Sequence, residues 1–561
     1  MKFINFQIVY TMVIKKLSFA FVLGLAVLAA CKDEPMLALE EQQNVEAQEF
    51  NNNLPSDGMM VLGQELQDPY KLSNMQQAYA NITGAKAQLQ PTHRYMRFLP
   101  KNEEELYLLK NIDLFDFPLH YEIIQNGDCY HDPELPAEAI TWQYAVIPID
   151  TRIPENIQQE LIYEVFIPNY DTDGSKSGLL EAIEDEAIRL CGYSDMLQQN
   201  ASKGLFSKWT PSGTIKVWDD VLLKYIPIHG AKVQVRWLTH IEKDFTDANG
   251  NFSTSSFRFD VNYSIKWERA DFDIRSGNWG QAWYNGPKLG SAWYLNIDKG
   301  GMSWVYAHIF RAAHMYYYGH SSWGIKSPPK DGKLLKQSIK IGAMDKSGRS
   351  HYFDFNKFFT TPQIKIYRKN KSGRELQSIE LFSTTIHEFA HASHWEIAYS
   401  YGQYAVDYIF RKAIIPESWA SCVEYVITKD IYNGTKTLTS ISKYDDDYAD
   451  LQRSKISDCI ERGYTPLFID CIDDKNQRES YGVEYPIDRV SGYTLAQIER
   501  VLSWSYQQLS PAVAIDPIGI SDPIGIIYNS FGLRTIRNNL KSTYNNPTSE
   551  YIDELFDNYL E

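Results

Sequence analysis

Cysteine is scarce, with six in 561 residues. None stands in a Cys-x-x-Cys pair, so neither a disulfide framework nor a thiolate zinc site is expected, although Cys459 and Cys471 are close enough in sequence to pair. No apolar stretch is long enough for a comfortable membrane span of about 20 residues; the run from Leu17 to Ala30 falls short of it. Basic residues are outnumbered 55 to 71, a net charge of −16, which argues against nucleic acid as the main partner because phosphate binding needs concentrated positive charge. No internal repeat is visible, which argues against a solenoid or propeller. What is present is a globular composition: 44% hydrophobic, 22% charged and 14% aromatic, which excludes wholesale disorder. At roughly 100–200 residues per domain, the length implies three or four domains.

The beginning of the chain reads as an address. Lys15 and Lys16 precede the apolar run to Ala30, the pattern of a secretory leader over residues 1–30. Met12, just before the lysine pair, is a candidate start. The run closes Leu28-Ala29-Ala30-Cys31, which resembles the lipobox of bacterial lipoproteins and implies acylation of Cys31. A thioether-linked diacylglycerol with a further acyl chain suffices for stable anchoring. Lys32-Asp33-Glu34 resembles the acidic export signal of Bacteroidota surface lipoproteins; an acidic solvated tether would read the same. The implied location is the outer membrane, facing outward. Loss of the leader removes three lysines and no acid, raising the excess of negative charge to 19.

Residues 31–85, rich in Glu, Gln and Asn, are expected to form a tether carrying at most one helix. Residues 86–205 read as an α+β module. His93–Phe98 alternates like a strand, Asn102 leads a short helix, and Ala145–Pro148 and Tyr163–Pro168 look like further strands. This stretch resembles the N-terminal part of Bacteroidota surface lipoproteins, and that resemblance assigns it no chemistry. Asn169, Asp171, Asp173 and Gly174 mimic a calcium loop, but the twelfth position is Leu180 where a bidentate Glu belongs, so a polar turn is preferred. Residues 212–270 alternate in short runs broken by turns such as Asp247-Ala248-Asn249-Gly250. They resemble the carboxypeptidase-regulatory-like domain, a seven-stranded transthyretin-like sandwich that stabilises, spaces or binds. From 271 to 561 the chain reads as mainly helical, with helices expected over Met302–Tyr318, Gln377–Tyr399 and Glu417–Thr428. A capping box at Thr494 and Gln497 opens another.

The chemistry lies in His387-Glu388-Phe389-Ala390-His391. Histidines at i and i+4 share one helix face, so both imidazoles can reach one tetrahedral zinc ion. Glu388, one residue after the first ligand, is placed to act as general base on a zinc-bound water. A catalytic zinc needs a third protein donor and an open fourth position. The metzincin spacing fails, because its Gly and His places hold His394 and Ile397. His394 is seven residues from His387, about 10 Å along the helix axis, and suits a cleft or supporting position. Glu417 opens a predicted second helix behind Pro416, with Glu424 two turns on as reserve.

His387, Glu388, His391 and Glu417 together resemble the gluzincin arrangement of thermolysin-like metallopeptidases. The resemblance covers about 60 residues and implies zinc held by His387, His391 and Glu417, with Glu388 catalytic. Two positions depart from the pattern. Ser421 stands where that family has an acid orienting the first histidine, and no histidine follows His394, leaving Tyr493 as a guess for an oxyanion donor. In such a lobe the strand Gln363–Tyr367 would be an edge able to pair with an extended peptide.

The expected fold is thus multidomain α+β: an N-terminal α+β module, a small transthyretin-like β-sandwich and a C-terminal, mainly helical zincin-like metallopeptidase domain. The expected function is surface-anchored, zinc-dependent hydrolysis of peptide bonds in extracellular proteins or glycoproteins. The alternative is a non-catalytic adhesion or glycan-binding lipoprotein.

Overall fold

The computed structural model describes residues 58–86, 89–136, 139–168, 177–201, 208–278, 280–329, 338–352, 362–397, 414–432, 452–508 and 523–560. Cys31, the leader and the loop beginning at Asn169 lie outside the described residues. The chain is mixed α+β, with five separate sheets among the described residues. It divides into two compact units: residues 51–314 with 330–381, and residues 315–329 with 382–561.

The first unit holds every described strand. Its N-terminal sheet is antiparallel, with His93–Leu99 between Gln143–Pro148 and Gln158–Val165. Met96, Phe98, Ala145 and Ile147 on these strands close over Leu106, Leu109 and Leu114. Asn102 caps the short helix Glu103–Leu108 by accepting the Glu105 N–H at 2.9 Å, satisfying one of the four donors a helix start leaves open.

The tether expected through residue 85 is ordered structure from residue 58 onward. Val61–Glu65 pairs with Tyr121–Gln125. The helix Leu72–Thr83 buries Met75 and Ala78 against Ile183 and Ala187 of the helix Ser177–Leu190. Between them the buried Asp68 carboxylate accepts the Thr239 hydroxyl at 2.6 Å and the Tyr163 hydroxyl at 2.9 Å. A segment polar in composition thus folds because its few apolar side chains fall at helical spacing and its carboxylate finds donors.

Residues 212–297 contribute two four-stranded sheets, which extend past the bound expected at residue 270. Ser212–Asp219 alternates half-buried and buried positions, and Ile215 and Val217 are fully enclosed. At the turn, Asp247 accepts the N–H groups of Asn249 and Asn251, each at 2.8 Å, and Gly250 takes φ +80°. Two strands from beyond residue 270 complete the two four-stranded sheets: Trp293–Ile297 runs parallel to Ser212–Asp219, and Trp283–Leu289 antiparallel to Val261–Lys266. Trp293 links the sheets, its ring 5.2 Å from Tyr263 and 5.8 Å from Tyr284.

A third architecture in this unit is a mixed five-stranded sheet in which Phe272–Ser276, Ile339–Ser347 and Ile364–Lys369 are parallel. The strand expected as an open edge is not one along its whole length. His351–Tyr352 pairs antiparallel with Lys365 and Ile364 at its start. Residues 271–381, apart from 315–329, therefore group with the strands and not with the helices.

Every described regular element of the second unit is helical. The helix Ser378–Ile397 carries the histidines and enters the unit at Phe382; the helix Ile414–Tyr432 carries Glu417. Pro416 lies in the first turn of the latter, where a missing N–H costs nothing. The helix Leu495–Gln508 opens on the expected capping box: Thr494 accepts the Gln497 N–H at 3.3 Å, and Gln497 accepts the Thr494 N–H at 3.0 Å. Cys459 and Cys471 are both free.

Candidate metal centre

The histidine helix is apolar on most of its circumference. Ile386, Phe389, Ala390 and Ala392 are fully buried, and Phe389 sets its ring edge against Tyr317 at 5.3 Å. Ser393 donates to the Lys326 carbonyl at 3.3 Å, which ties the segment just past the helix end at Gly319 to the histidine helix. The glutamate helix buries Trp419, Ala420, Cys422 and Val423, with Trp419 edge-on to Phe468. Next to Glu417, the Ser418 hydroxyl shares a hydrogen bond of 2.8 Å with Thr465 and accepts the Thr465 N–H at 3.2 Å. These contacts fix the depth and rotation of the helix that presents Glu417.

His387, His391 and Glu417 meet there. Oε2 of Glu417 lies 3.3 Å from Nε2 of His387 and 3.2 Å from Nε2 of His391, and the two imidazole nitrogens are 3.1 Å apart. Three donor atoms thus form a nearly equilateral triangle. A tetrahedral ion with bonds of about 2.0–2.1 Å sets its donors about 3.3–3.4 Å apart, so the triangle matches one face of such a site. The three residues form a group able to hold a metal ion. All three, and Glu388, are no more than 7% exposed.

The electrostatics follow from that closeness. Burial disfavours the His387 imidazolium, yet hydrogen bonds to Glu417 and Glu424 raise its pKa well above the usual value. Burial likewise pushes the Glu417 carboxyl up, but the two imidazoles outweigh it and hold it well below the usual carboxylate range. The group therefore concentrates negative charge on one oxygen facing two ring nitrogens. A proton and a metal ion compete for the same lone pairs in such a group.

Glu424 accepts from Nδ1 of His387 at 2.9 Å. It is not a member of the triangle; it holds the far side of the first histidine, which fixes Nε2 as the nitrogen facing Glu417. The acid that meets the first histidine thus stands about one turn beyond Ser421. Sequence spacing already placed Glu424 on the Glu417 face, since seven residues are close to two turns; its partner depends on where the two helices cross. His394 stays out of the triangle. Its Nε2 lies 2.8 Å from the Tyr506 hydroxyl, and burial lowers its pKa to about 3. Tyr506 carried no signal in the sequence. Tyr493 is not brought to the triangle among the described contacts; it is buried against Tyr544, and burial raises its hydroxyl to about 12.

Comparison with known proteins returns no matching family, no matching characterised protein and no matching solved structure.

Proposed function

We propose that the chain is a zinc-dependent metallopeptidase, anchored at the cell surface through Cys31, that hydrolyses peptide bonds of extracellular proteins or glycoproteins. One observation carries this reading: two imidazole nitrogens and one carboxylate oxygen converge at 3.1–3.3 Å, with Glu388 one residue from the first histidine. Three donors of nitrogen and oxygen type are the set that leaves zinc a fourth, reactive position. When bound, zinc supplies Lewis acidity, which acidifies a water and polarises a carbonyl. Glu388 takes the proton of the attacking water and returns it to the leaving amine nitrogen, so that it ends the cycle as it began. Glu424 keeps a proton on Nδ1 of His387, which leaves Nε2 as the donor. The buried helix contacts hold the donor atoms before any ion arrives, which lowers the reorganisation that binding requires.

The near-complete burial of these four residues favours a second reading, in which the ion is structural and the chain is an adhesion or glycan-binding lipoprotein. Closed structural zinc sites have four protein donors, and among the described residues the group here has three, which favours the first. The test is hydrolysis of a mixed peptide library by the full chain, abolished by a chelator and restored by zinc. Glu388→Ala should keep one zinc per chain and lose activity by about 10²–10⁴-fold. Glu417→Ala should lose the ion. Full zinc retention in Glu417→Ala, or zinc loss with an intact fold in Glu388→Ala, sinks the assignment.

A further inference from the structure

The helical unit holds a second cluster of acids, with different chemistry. Asp470 ends the short helix Leu467–Asp470, Asp473 follows one turn later, and Asp488 comes from a separate segment. That segment is pinned alongside by backbone bonds from Gly492 to Ile472 and from Tyr493 to Cys471, at 3.1 and 3.0 Å. One oxygen of each carboxylate lies within 4.8 Å of the others, and oxygens bound at 2.3–2.6 Å to one calcium ion lie no further apart than about 5 Å.

The hydrogen bonds around the cluster leave specific oxygens over. Oδ1 of Asp470 accepts from the Gln452 and Gln477 amides at 2.8 and 2.7 Å, and Oδ1 of Asp488 accepts the Val490 N–H at 2.9 Å. Asp473 accepts from Gln452 and from the Lys475 N–H. Oδ2 of Asp470 and Oδ2 of Asp488 are buried with no hydrogen-bond partner among the described residues.

An independent observation comes from a neutral side chain. Gln477, 1% exposed, donates its amide nitrogen both to Asp470 and to Gln452. Two acceptors on one nitrogen fix the amide's orientation, and its Oε1 is left buried and without a hydrogen-bond partner among the described residues. The Tyr559 hydroxyl is likewise buried with no hydrogen-bond partner among the described residues, and Asp470 and Asp488 are close enough to act on its ionisation. Buried acceptors without donors are costly, by about 1–3 kcal/mol each and more when charged. Burial and the neighbouring acids raise both carboxyls, Asp488 to about 8. The cluster therefore carries either extra protons or a cation.

We propose that Asp470, Asp473 and Asp488, beside the buried amide of Gln477, form a site for a hard divalent cation of the calcium class. Oxygen-only donors select such an ion over zinc, which the imidazole-bearing triangle suits better. The three nearby thiols of Cys422, Cys459 and Cys471 stay protonated, since burial raises each of them, and none belongs to the donor group. The ion's role is structural: it joins residues 470–477 to the segment at 488.

The full chain, dialysed free of divalent ions, is titrated with calcium chloride alone, by calorimetry and by thermal unfolding. One calcium per chain with a Kd below about 1 mM and a rise in the unfolding midpoint are expected. Asp473→Asn, at the half-exposed member, should weaken binding about tenfold or more while circular dichroism and zinc content stay as in the parent. Glu417→Ala should bind calcium as the parent does, which separates this site from the proposed catalytic one. A parent chain that takes up no calcium, and is stabilised by Asp488→Asn without it, overturns the proposal in favour of a proton shared between Asp470 and Asp488. Calcium binding unchanged in both Asp473→Asn and Asp488→Asn overturns it too.

Discussion

Glu424 does its work on a ring nitrogen that faces away from the proposed ion. As a carboxylate it accepts the Nδ1 proton of His387 and adds electron density to the imidazole; outer partners of this kind are worth about 10–100-fold in metal affinity. Glu424→Gln should therefore weaken zinc by that factor without abolishing it, while Glu417→Ala abolishes it. Competition titrations with a chromogenic chelator would measure both, and equal losses in the two variants would make Glu424 a direct donor. In a second residue burial outweighs the hydrogen bonds. Glu499 accepts the Lys326 N–H with both oxygens at 3.0 Å, yet burial raises its pKa from 4.5 to about 7. The folded state then holds a proton that the unfolded state has released, so stability falls as pH rises from about 4.5 to about 7 and stays reduced above. The cost approaches about 3 kcal/mol. Relative to the parent, Glu499→Gln should gain stability between pH 5 and pH 8 in urea unfolding; a constant difference between the two proteins would show that Glu499 ionises normally.

Elements were readable where one face is buried and the period is plain. The helices at Gly301–Gly319, Ser378–Ile397 and Ile414–Tyr432 lie within a few residues of their expected bounds, because apolar side chains at helical spacing are a local signal. The same holds for the histidine pair, whose spacing is itself the geometry. Pairings between distant strands are not local. Trp293–Ile297 completes a sheet begun at Ser212, and no alternation inside either strand states which partner it takes, so the sandwich was expected to end near residue 270. One helix was allowed for in residues 31–85, but polar composition hid that it packs into the fold, although Met75 and Ala78 lie one turn apart on its buried side. The added strands have a mechanical consequence. A Cβ built on Gly286 would approach Cζ2 of Trp293 to 2.6 Å, and that ring is held by Tyr263 and Tyr284. Gly286→Ala should destabilise the sandwich by about 1–3 kcal/mol. Chemical denaturation followed by tryptophan fluorescence would register it, and an unchanged midpoint would mean that Trp293 moves freely.

At the scale of the whole molecule the expected address and the proposed chemistry are separable. Replacement of Cys31 by Ser should release the protein from membranes or leave it unprocessed, with peptide hydrolysis by the purified chain unaffected. Protection of the intact chain from protease on whole cells, under conditions that digest a known surface protein, would refute the outward location. Within the helical unit, two donors stand on one helix and the third on another. His391 and Glu417 are 26 residues apart in the chain, so an ion held between them acts as a reversible cross-link that closes a loop. By the chain-entropy relation for cross-links, a closure of that length restricts the unfolded ensemble by about 3–4 kcal/mol. Withdrawing the ion returns that freedom to the unfolded chain, so a chelator should lower the unfolding midpoint of the parent and leave that of Glu417→Ala unchanged; equal shifts in the two would show that the ion makes no such link. The group proposed to activate a water would then also serve as a clasp between two helices.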